Sequence, residues 1–306
     1  MSTPLVSVIL PVHDREESVA RAITSVLDQS DRDLELIVVD DGSTDGTRAV
    51  IERFAPQIAL ISQPHAGAYA ARNAGLARAR GELVAFIDSD DAWLPDRLAR
   101  QVPLMSRAEV GLVFGDTIHV TAPCANARRT GTTSFRVSPP RRGRVAAHFA
   151  WCNFVPTCSV LVRRRCLQEI GGFSEASALS ADYLAWFRIA LRYELDYVDA
   201  PVAEYTVHRD GISYDLGRAI AARIQHFSDE LDRTADPATR SLLRRLLFNL
   251  ALQLFFAAIR GRARNIGGPL RLAWRAASKV AGLEAAPWTA AFALYQMRVR
   301  ARRLLS

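Results

Sequence analysis

Cysteine is scarce in this sequence of 306 residues: there are four cysteines, and no two of them form a Cys-x-x-Cys pair. Such pairs are typical of zinc sites, and regularly spaced cysteines are typical of disulfide frameworks. Their absence argues against both kinds of site. It favours reduced thiols, as in cytoplasmic proteins.

Long apolar runs are also missing, since none reaches the roughly 18 residues that a membrane-spanning helix needs. The longest candidate, Leu246 to Ile259, is interrupted by Asn249 and Gln253. The apolar stretch near the N-terminus is short and follows no basic residues, so we expect no signal peptide. We therefore predict a cytoplasmic protein.

Two glycine-rich phosphate-binding motifs are absent. No Gly-Lys-Ser or Gly-Lys-Thr follows a predicted strand, which excludes a Walker loop. No GxGxxG follows the first apolar run, which argues against a dinucleotide-dependent dehydrogenase. The basic residues are not interleaved with aromatic stacking motifs, so we do not expect nucleic acid as a partner.

Charge is distributed unevenly along the chain. Residues 240–306 contain 13 Lys and Arg but one acid, Glu284, which gives +12, and residues 1–239 carry −5. The two parts are therefore expected to do different jobs. We predict a domain at residues 1–215 and a basic, mainly helical region at residues 216–306.

The first 120 residues alternate apolar, β-branched runs with helical patterns. Predicted strands are Val6–Val12, Leu34–Val39, Ile58–Ser62, Leu83–Ile87 and Val110–Phe114, and helices are predicted between them. Such alternation is typical of a mostly parallel sheet with helices on both faces. Residues 121–150 read as a long loop, and its Arg141, Arg142 and Arg144 either close over a ligand as a lid or remain exposed.

Carboxylates cluster where the fourth predicted strand ends. In LVAFIDSDDAWL (residues 83–94), Asp88, Asp90 and Asp91 repel one another and resist burial. A helix-capping turn explains one of the three, and a phospho-acceptor site suits a shorter chain. A divalent cation, Mn²⁺ or Mg²⁺, bound together with a substrate diphosphate neutralises the whole cluster, and we favour this third interpretation.

A second acidic motif, DDGSTD, follows the second predicted strand and begins with Asp40 and Asp41. Carboxylates do not cradle phosphate, but they accept hydrogen bonds from a nucleobase or a ribose hydroxyl. Ligands of parallel sheets bind at the carboxyl ends of the strands, where both acidic motifs lie. The two motifs together predict a site for a nucleotide sugar.

Several spaced motifs resemble the family-2 glycosyltransferases, which have the Rossmann-like GT-A fold. They are VSVILPVHDREESVARAITSVLDQS, ELIVVDDGSTDGT, AGAYAARNAGLARARGELVAFIDSDDAWLPDRL and SVLVRRRCLQEIGGFSE, spread between about residues 5 and 213. The resemblance implies that Asp41 contacts the base with Asp40 beside it. It also implies that Asp88-Ser89-Asp90 is the DxD motif of that family, with Asp90 and Asp91 nearest the metal.

Further residues match positions near the nucleotide in that family. Pro11 and His13 match the loop lining the nucleotide pocket, and His208 matches a position near the diphosphate. Arg72 and Asn73 also reach the nucleotide in this interpretation, although a solvated helix face is the alternative.

The resemblance assigns the catalytic base to Asp182 in SALSADYLAWFRIA. Ala181 is a departure, because an acid is usual at that position. The implied mechanism is a single inverting displacement, in which Asp182 takes a proton from the acceptor hydroxyl while the metal stabilises the leaving diphosphate.

We therefore predict transfer of a sugar from a nucleotide-diphosphate donor, with a bias toward UDP, to a glycan or lipid-linked acceptor in surface polysaccharide or glycolipid synthesis. A non-catalytic nucleotide- or glycan-binding subunit of the same fold is the alternative. In the basic region, an apolar stripe packs on the catalytic domain or on a second copy, or it docks on an anionic membrane at the inner face of the plasma membrane. The stripe consists of Leu243, Leu246, Leu247, Leu250 and Leu254.

Overall fold

Nine β-strands and nine α-helices form within the residues that the computed structural model describes, which are 4–121, 129–176, 179–208 and 216–259. The strands are β1 (Val6–Val12), β2 (Leu34–Asp40), β3 (Ala59–Ser62), β4 (Leu83–Phe86), β5 (Ala92–Trp93), β6 (Val110–Val120), β7 (Arg129–Thr133), β8 (Leu161–Arg163) and β9 (Glu194–Thr206). The helices are α1 (Val19–Leu27), α2 (Thr47–Glu52), α3 (Ala68–Arg78), α4 (Arg97–Gln101), α5 (Ser134–Val137), α6 (Arg164–Glu169), α7 (Ala181–Arg192), α8 (Leu216–Arg233) and α9 (Pro237–Ile259).

All strands belong to one sheet with the order β3-β2-β1-β4-β8-β6-β9-β5, and β7 pairs with β6. Strands β1 to β4 are parallel, as the alternation of strands and helices predicts. Beyond β4 the sheet is mixed, because β8 runs antiparallel to both β4 and β6. The carboxyl ends of β1, β2 and β4 therefore meet at one edge, where the acidic motifs begin.

Helices cover both faces of the sheet, so the strands are buried on two sides. On β1, Ile9 packs into one apolar cluster while Val8 and Leu10 pack into the other. Helices α3, α7, α8 and α9 contribute to the first cluster, and α1, α2 and α4 contribute to the second. This two-sided burial explains why these strands are nearly continuous apolar runs.

The structure differs from the sequence-based elements in residues 121–150. The expected long loop contains β7 and α5, within its described part. Strand β7 has the sequence RTGTT and is largely exposed, so it lacks the apolar alternation by which strands are recognised. Its backbone pairs with an extension of β6 to Val120, six residues beyond the predicted end of that strand.

The leucine stripe of α9 packs on the catalytic part of the chain. Its five leucines are at most 2% exposed and belong to the same apolar cluster as Phe149, Tyr183 and Phe227. Asn249 fixes the helix by donating to the backbone carbonyls of Ala150 and Trp151, at 3.0 and 2.9 Å. Docking of this stripe on a membrane is therefore wrong, because the leucines are already buried.

Residues 260–306, which carry most of the predicted basic charge, lie outside the described residues. The division of the chain at residue 215 stays a prediction. Among the helices within the four described ranges, none is both long and apolar enough to cross a bilayer.

Candidate active site

The DDGSTD motif forms a tight turn at the end of β2. Asp40 accepts a hydrogen bond from the backbone N–H of Ser43 at 3.0 Å, which closes the turn. Gly42 has a φ of 75°, and a Cβ atom there would lie 2.8 Å from the backbone nitrogen of His65. The turn thus needs glycine for its left-handed conformation and for the close approach of the neighbouring segment.

Asp41 is buried and organises residues 63–67. Its Oδ1 accepts from Gln63 Nε2 at 2.7 Å and Ala66 N at 2.9 Å, and its Oδ2 accepts from Gly67 N at 2.8 Å. Burial alone would raise the pKa of Asp41, but these hydrogen bonds outweigh it and lower the pKa. Asp41 is therefore an ionised acceptor beside the cleft.

Two imidazoles lie next to Asp41. The rings of His13 and His65 lie 4.0 Å apart between centroids, and His65 Nδ1 lies 3.0 Å from Asp41 Oδ2. His13 Nδ1 is 2.9 Å from the backbone carbonyl of Asp41. Pro11, two residues before His13, is buried within β1. Planar rings beside a hydrogen-bond acceptor suit a flat heterocyclic ligand.

The DSDD motif (residues 88–91) forms the turn after β4, and β9 supports it. Thr206 donates its backbone N–H to Asp91 Oδ1 at 2.8 Å and its hydroxyl to the backbone carbonyl of Asp90. Two residues later, His208 Nε2 lies 2.6 Å from Asp90 Oδ2. The end of β9 thus places an imidazole against the carboxylate nearest the cleft. Ser89, between Asp88 and Asp90, is buried.

Negative charge is concentrated at this turn. Burial is the main cause that raises the pKa of Asp88 and, to a greater extent, that of Asp91, and the neighbouring Asp90 raises both further. Arg72 opposes this effect through an ion pair with Asp88. Asp91 Oδ2 is buried and has no hydrogen-bond partner among the described residues. A bound cation would offset this concentration of negative charge.

Asp182 lies in the first turn of α7, and a hydroxyl contacts each of its oxygens. Tyr69 OH donates to Oδ1 at 3.1 Å and Thr157 Oγ1 donates to Oδ2 at 2.8 Å. Ala181, where an acid was expected, is fully buried, so an acid at that position would face the core. The support for Asp182 therefore comes from α3 and from the turn before β8, and not from its neighbour.

Helix α3 joins the two halves of the cleft. Tyr69 and Arg72 are three residues apart and share one face of the helix. Tyr69 contacts Asp182, Arg72 contacts Asp88, and the Arg72 guanidinium lies 5.1 Å from the centre of the Tyr69 ring. One helical turn thus links the predicted base to the predicted DxD motif.

Asn73, predicted to reach the nucleotide, is occupied elsewhere. Its amide donates to Phe173 O at 2.9 Å and to Glu175 at 2.6 Å, and its carbonyl accepts from Phe173 N at 2.9 Å. Both polar ends of the side chain are therefore used to fix the segment at residues 173–175. We assign Asn73 to the support of that segment rather than to nucleotide binding.

Two of the three arginines considered as a lid contact residues elsewhere. Arg144 donates to the carbonyl of Arg192 at 3.0 Å, and Arg142 lies 3.5 Å from Asp196 at the start of β9. Asp182 is at the opposite end of α7, about 15 Å away at 1.5 Å per residue. These two side chains therefore do not cover the site.

Sequence patterns did not identify three of the residues at the site. Tyr69, Thr157 and His65 contact the predicted residues, yet each lies in a different segment and belongs to no acidic motif. A spacing of three residues between Tyr69 and Arg72 was the one available signal.

The comparisons with known proteins identify the family of this chain. The model for "Glycosyl transferase family 2" matches residues 7–171. An uncharacterized glycosyltransferase of Nostoc sp. is 35% identical over 170 residues, which cover 54% of this chain and 52% of the relative. The Escherichia coli UDP-Glc:α-D-GlcNAc-diphosphoundecaprenol β-1,3-glucosyltransferase WfgD is 37% identical over 118 residues, covering 38% of this chain and 47% of WfgD. The chain thus spans about half the length of these curated relatives.

Two solved structures share the fold. The mannosyltransferase PcManGT from Pyrobaculum calidifontis, in complex with GDP-Man and Mn²⁺, has a TM-score of 0.61 at 25% identity and covers 95% of this chain and 83% of its own. S. aureus TarS 1–349 has a TM-score of 0.61 at 19% identity, covering 89% and 78%. The predicted GT-A fold with a C-terminal helical region is confirmed. The family model matches more than half of the sequence, and the chain belongs to glycosyl transferase family 2.

Proposed function

We propose that this glycosyltransferase moves a sugar from a nucleotide-diphosphate donor, with UDP as the favoured nucleotide, to an acceptor hydroxyl with inversion at the anomeric carbon. The observation that carries the proposal is the link through α3, whose Tyr69 contacts Asp182 and whose Arg72 contacts Asp88 of the DxD turn. The predicted base and the predicted diphosphate site thus lie on different elements, as an in-line displacement requires.

The nucleoside end of the donor lies at the turn after β2. A nucleobase N–H takes the place of one of the side-chain donors, Gln63 or His65, on Asp41. The imidazole of His13 stacks against the base. Asp40 keeps the turn closed, and Pro11 forms the floor of the pocket.

The side chains at the DxD turn that could act as metal ligands fit Mn²⁺ or Mg²⁺. Asp90 and His208 converge at the cleft, and Asp91 offers a buried oxygen with no hydrogen-bond partner. Within the described part of the chain, no three His, Cys, Asp or Glu side chains form a ready metal site. This suits an ion that takes one or two carboxylates and completes its shell with substrate phosphate and water. When bound, such an ion stabilises the negative charge of the leaving diphosphate. Arg72 and Asp88 hold the turn beside it.

Asp182 acts on the acceptor. Its carboxylate removes the proton from the acceptor hydroxyl as that oxygen forms a bond to the anomeric carbon. The bond between the anomeric carbon and the diphosphate oxygen breaks, and the nucleoside diphosphate leaves with the electron pair. Tyr69 and Thr157 lie on the side of Asp182 that faces away from an incoming hydroxyl.

The second candidate is a non-catalytic subunit that binds a nucleotide or glycan. Ala181 in place of the usual acid is the feature that favours it. The hydroxyls of Tyr69 and Thr157 weaken that argument, because they supply the support that Ala181 lacks.

A donor screen tests the proposal. The protein is incubated with Mn²⁺ and with each of three donors: UDP-glucose, UDP-N-acetylglucosamine and GDP-mannose. The last two are present in complexes of the structural neighbours. We expect release of the nucleoside diphosphate from a UDP-sugar, and none in EDTA. Donor binding without release, with and without added oligosaccharide acceptors, would instead support the non-catalytic subunit.

We also propose that the basic region beyond α9 brings the catalytic part to an anionic membrane surface, next to a lipid-linked acceptor. Its support is the charge of +9 in residues 260–306, which contain ten Lys and Arg and one acid, since each Lys or Arg near such a surface contributes about 1 kcal/mol. Co-sedimentation with vesicles should require anionic lipid, weaken with salt and disappear on truncation after Ile259. Binding that the truncated protein retains would contradict this role.

A further inference from the structure

We propose that Tyr69 and Thr157 are positioning residues for Asp182, and that their two hydroxyls fix the orientation of its carboxylate. The inference rests on the proposed function for the role of Asp182, but the contacts themselves do not. Neither residue has a role assigned from the sequence, although Tyr69 lies within the AGAYAARNAG stretch.

The geometry is that of one hydrogen bond to each carboxylate oxygen. Tyr69 OH lies 3.1 Å from Oδ1 and Thr157 Oγ1 lies 2.8 Å from Oδ2. A hydroxyl that donates to an ionised carboxylate favours the ionised form, since the protonated acid is the poorer acceptor. Two donors from different segments also restrict rotation of the carboxylate about its terminal bond. The side chain is thereby fixed before an acceptor arrives.

Tyr69 is itself held in place. Its ring stacks on Phe173 at 5.8 Å between centroids, and the Arg72 guanidinium lies 5.1 Å from the ring centre. Burial, with the nearby charge of Asp182, raises the pKa of Tyr69 well above its usual range. The phenol therefore stays protonated and remains a donor throughout the pH range in which an enzyme of this kind is assayed.

Thr157 approaches from the opposite side. It begins the short helical turn at residues 157–159, just before β8, and its side chain is partly buried. Tyr69 belongs to α3 and Asp182 to α7, so three separate elements converge on one carboxylate. Such convergence is typical of a group whose position matters for more than local stability.

Other charged groups also interact with Asp182, so a test of the two hydroxyls must leave these groups unchanged. Arg72 on α3 and His226 on α8 are the titratable bases with an electrostatic interaction, and Asp88 at the DxD turn is the acid. Substitution of Tyr69 or Thr157 by an apolar residue of similar size leaves these three groups in place. The change in kcat then reports on the lost hydrogen bond.

The experiment measures turnover and the KM for the donor in the presence of Mn²⁺, with the donor that gives the highest release in the screen above. Tyr69→Phe and Thr157→Val should each lower kcat by about 10-fold, because each removes one of the two hydrogen bonds that fix the carboxylate. The KM for the donor should stay the same. Thr157→Ser keeps the hydroxyl and should restore the parent kcat.

Tyr193→Phe is the matched control, since its hydroxyl bonds to Glu169 at the far end of α7. That variant should leave both kcat and the KM for the donor unchanged. Thermal unfolding of the four variants shows whether a loss of turnover comes from a loss of folding.

The outcomes separate the two proposals. A parent-like kcat in both Tyr69→Phe and Thr157→Val, together with a large loss in Asp182→Asn, would overturn the positioning role and keep Asp182 as the base. Near-normal turnover of Asp182→Asn would overturn the assignment of the base. A fall in kcat of Thr157→Val that Thr157→Ser does not restore would indicate a packing defect and would also contradict the inference.

Discussion

Asp182→Asn should lower turnover by at least about 10²-fold while the affinity for the donor stays nearly unchanged. Asparagine has the size of aspartate and still accepts a hydrogen bond from Tyr69 or Thr157, but it is not a base. The loss would then fall on the step in which the acceptor hydroxyl is deprotonated. Steady-state kinetics at saturating donor, with donor binding measured separately by calorimetry, distinguish the two effects.

The control for this prediction is Glu175→Gln. Glu175 is the other acid near the cleft that could act as a base, and it accepts a hydrogen bond from Asn73 at 2.6 Å. We expect Glu175→Gln to keep most of the turnover. Near-normal turnover of Asp182→Asn, combined with loss in Glu175→Gln, would transfer the role of base to Glu175.

The sheet could be predicted to a large extent because its strands carry a strong local signal. Strand β1 begins and ends at the predicted residues, and β2 and β4 differ from the prediction by one residue at the carboxyl end. These strands are buried on both faces, which requires continuous apolar runs. The antiparallel position of β8 between β4 and β6 has no such signal, since strand order depends on pairings between distant segments.

The candidate site was predicted only where its residues form a motif. Asp41, Asp90 and Asp182 could be named because each lies in a characteristic local pattern, and their roles stay proposals. Tyr69 and Thr157 could not, because the contact with Asp182 spans 113 and 25 residues of sequence. Asn73 shows that a residue within a motif can turn its side chain to a different partner.

The leucine stripe of α9 illustrates why an amphipathic pattern alone does not identify the surface it meets. The periodicity predicts an apolar face, and a protein core and a membrane both accept such a face. Asn249 distinguishes them here, since its amide bonds to two backbone carbonyls of the catalytic part. A polar side chain within the stripe was therefore a better indication of protein packing than the charge that follows it.

The second large effect is expected for Asp90→Ala, which should weaken the binding of UDP in Mn²⁺ by at least about 10²-fold. The side chain of Asp90 is 18% exposed, and its one side-chain partner among the described residues is His208. Its backbone carbonyl, which accepts from Thr206, is unaffected by the substitution. The variant should therefore fold normally, and thermal unfolding in EDTA checks this point. Asp96→Ala is the matched control, because Asp96 follows the same turn but pairs with Arg100 at the surface.

Titration calorimetry with UDP, in Mn²⁺ and in EDTA, shows whether Asp90 acts through the metal. If it does, EDTA should weaken binding to the parent protein about as much as the substitution does in Mn²⁺. EDTA should then cause little further loss in Asp90→Ala, because the carboxylate and the ion act as one unit and their effects are not additive. Two losses that add would mean that Asp90 contacts the nucleotide without a metal. Equal affinity of the parent in Mn²⁺ and EDTA would remove the metal from the proposed site altogether.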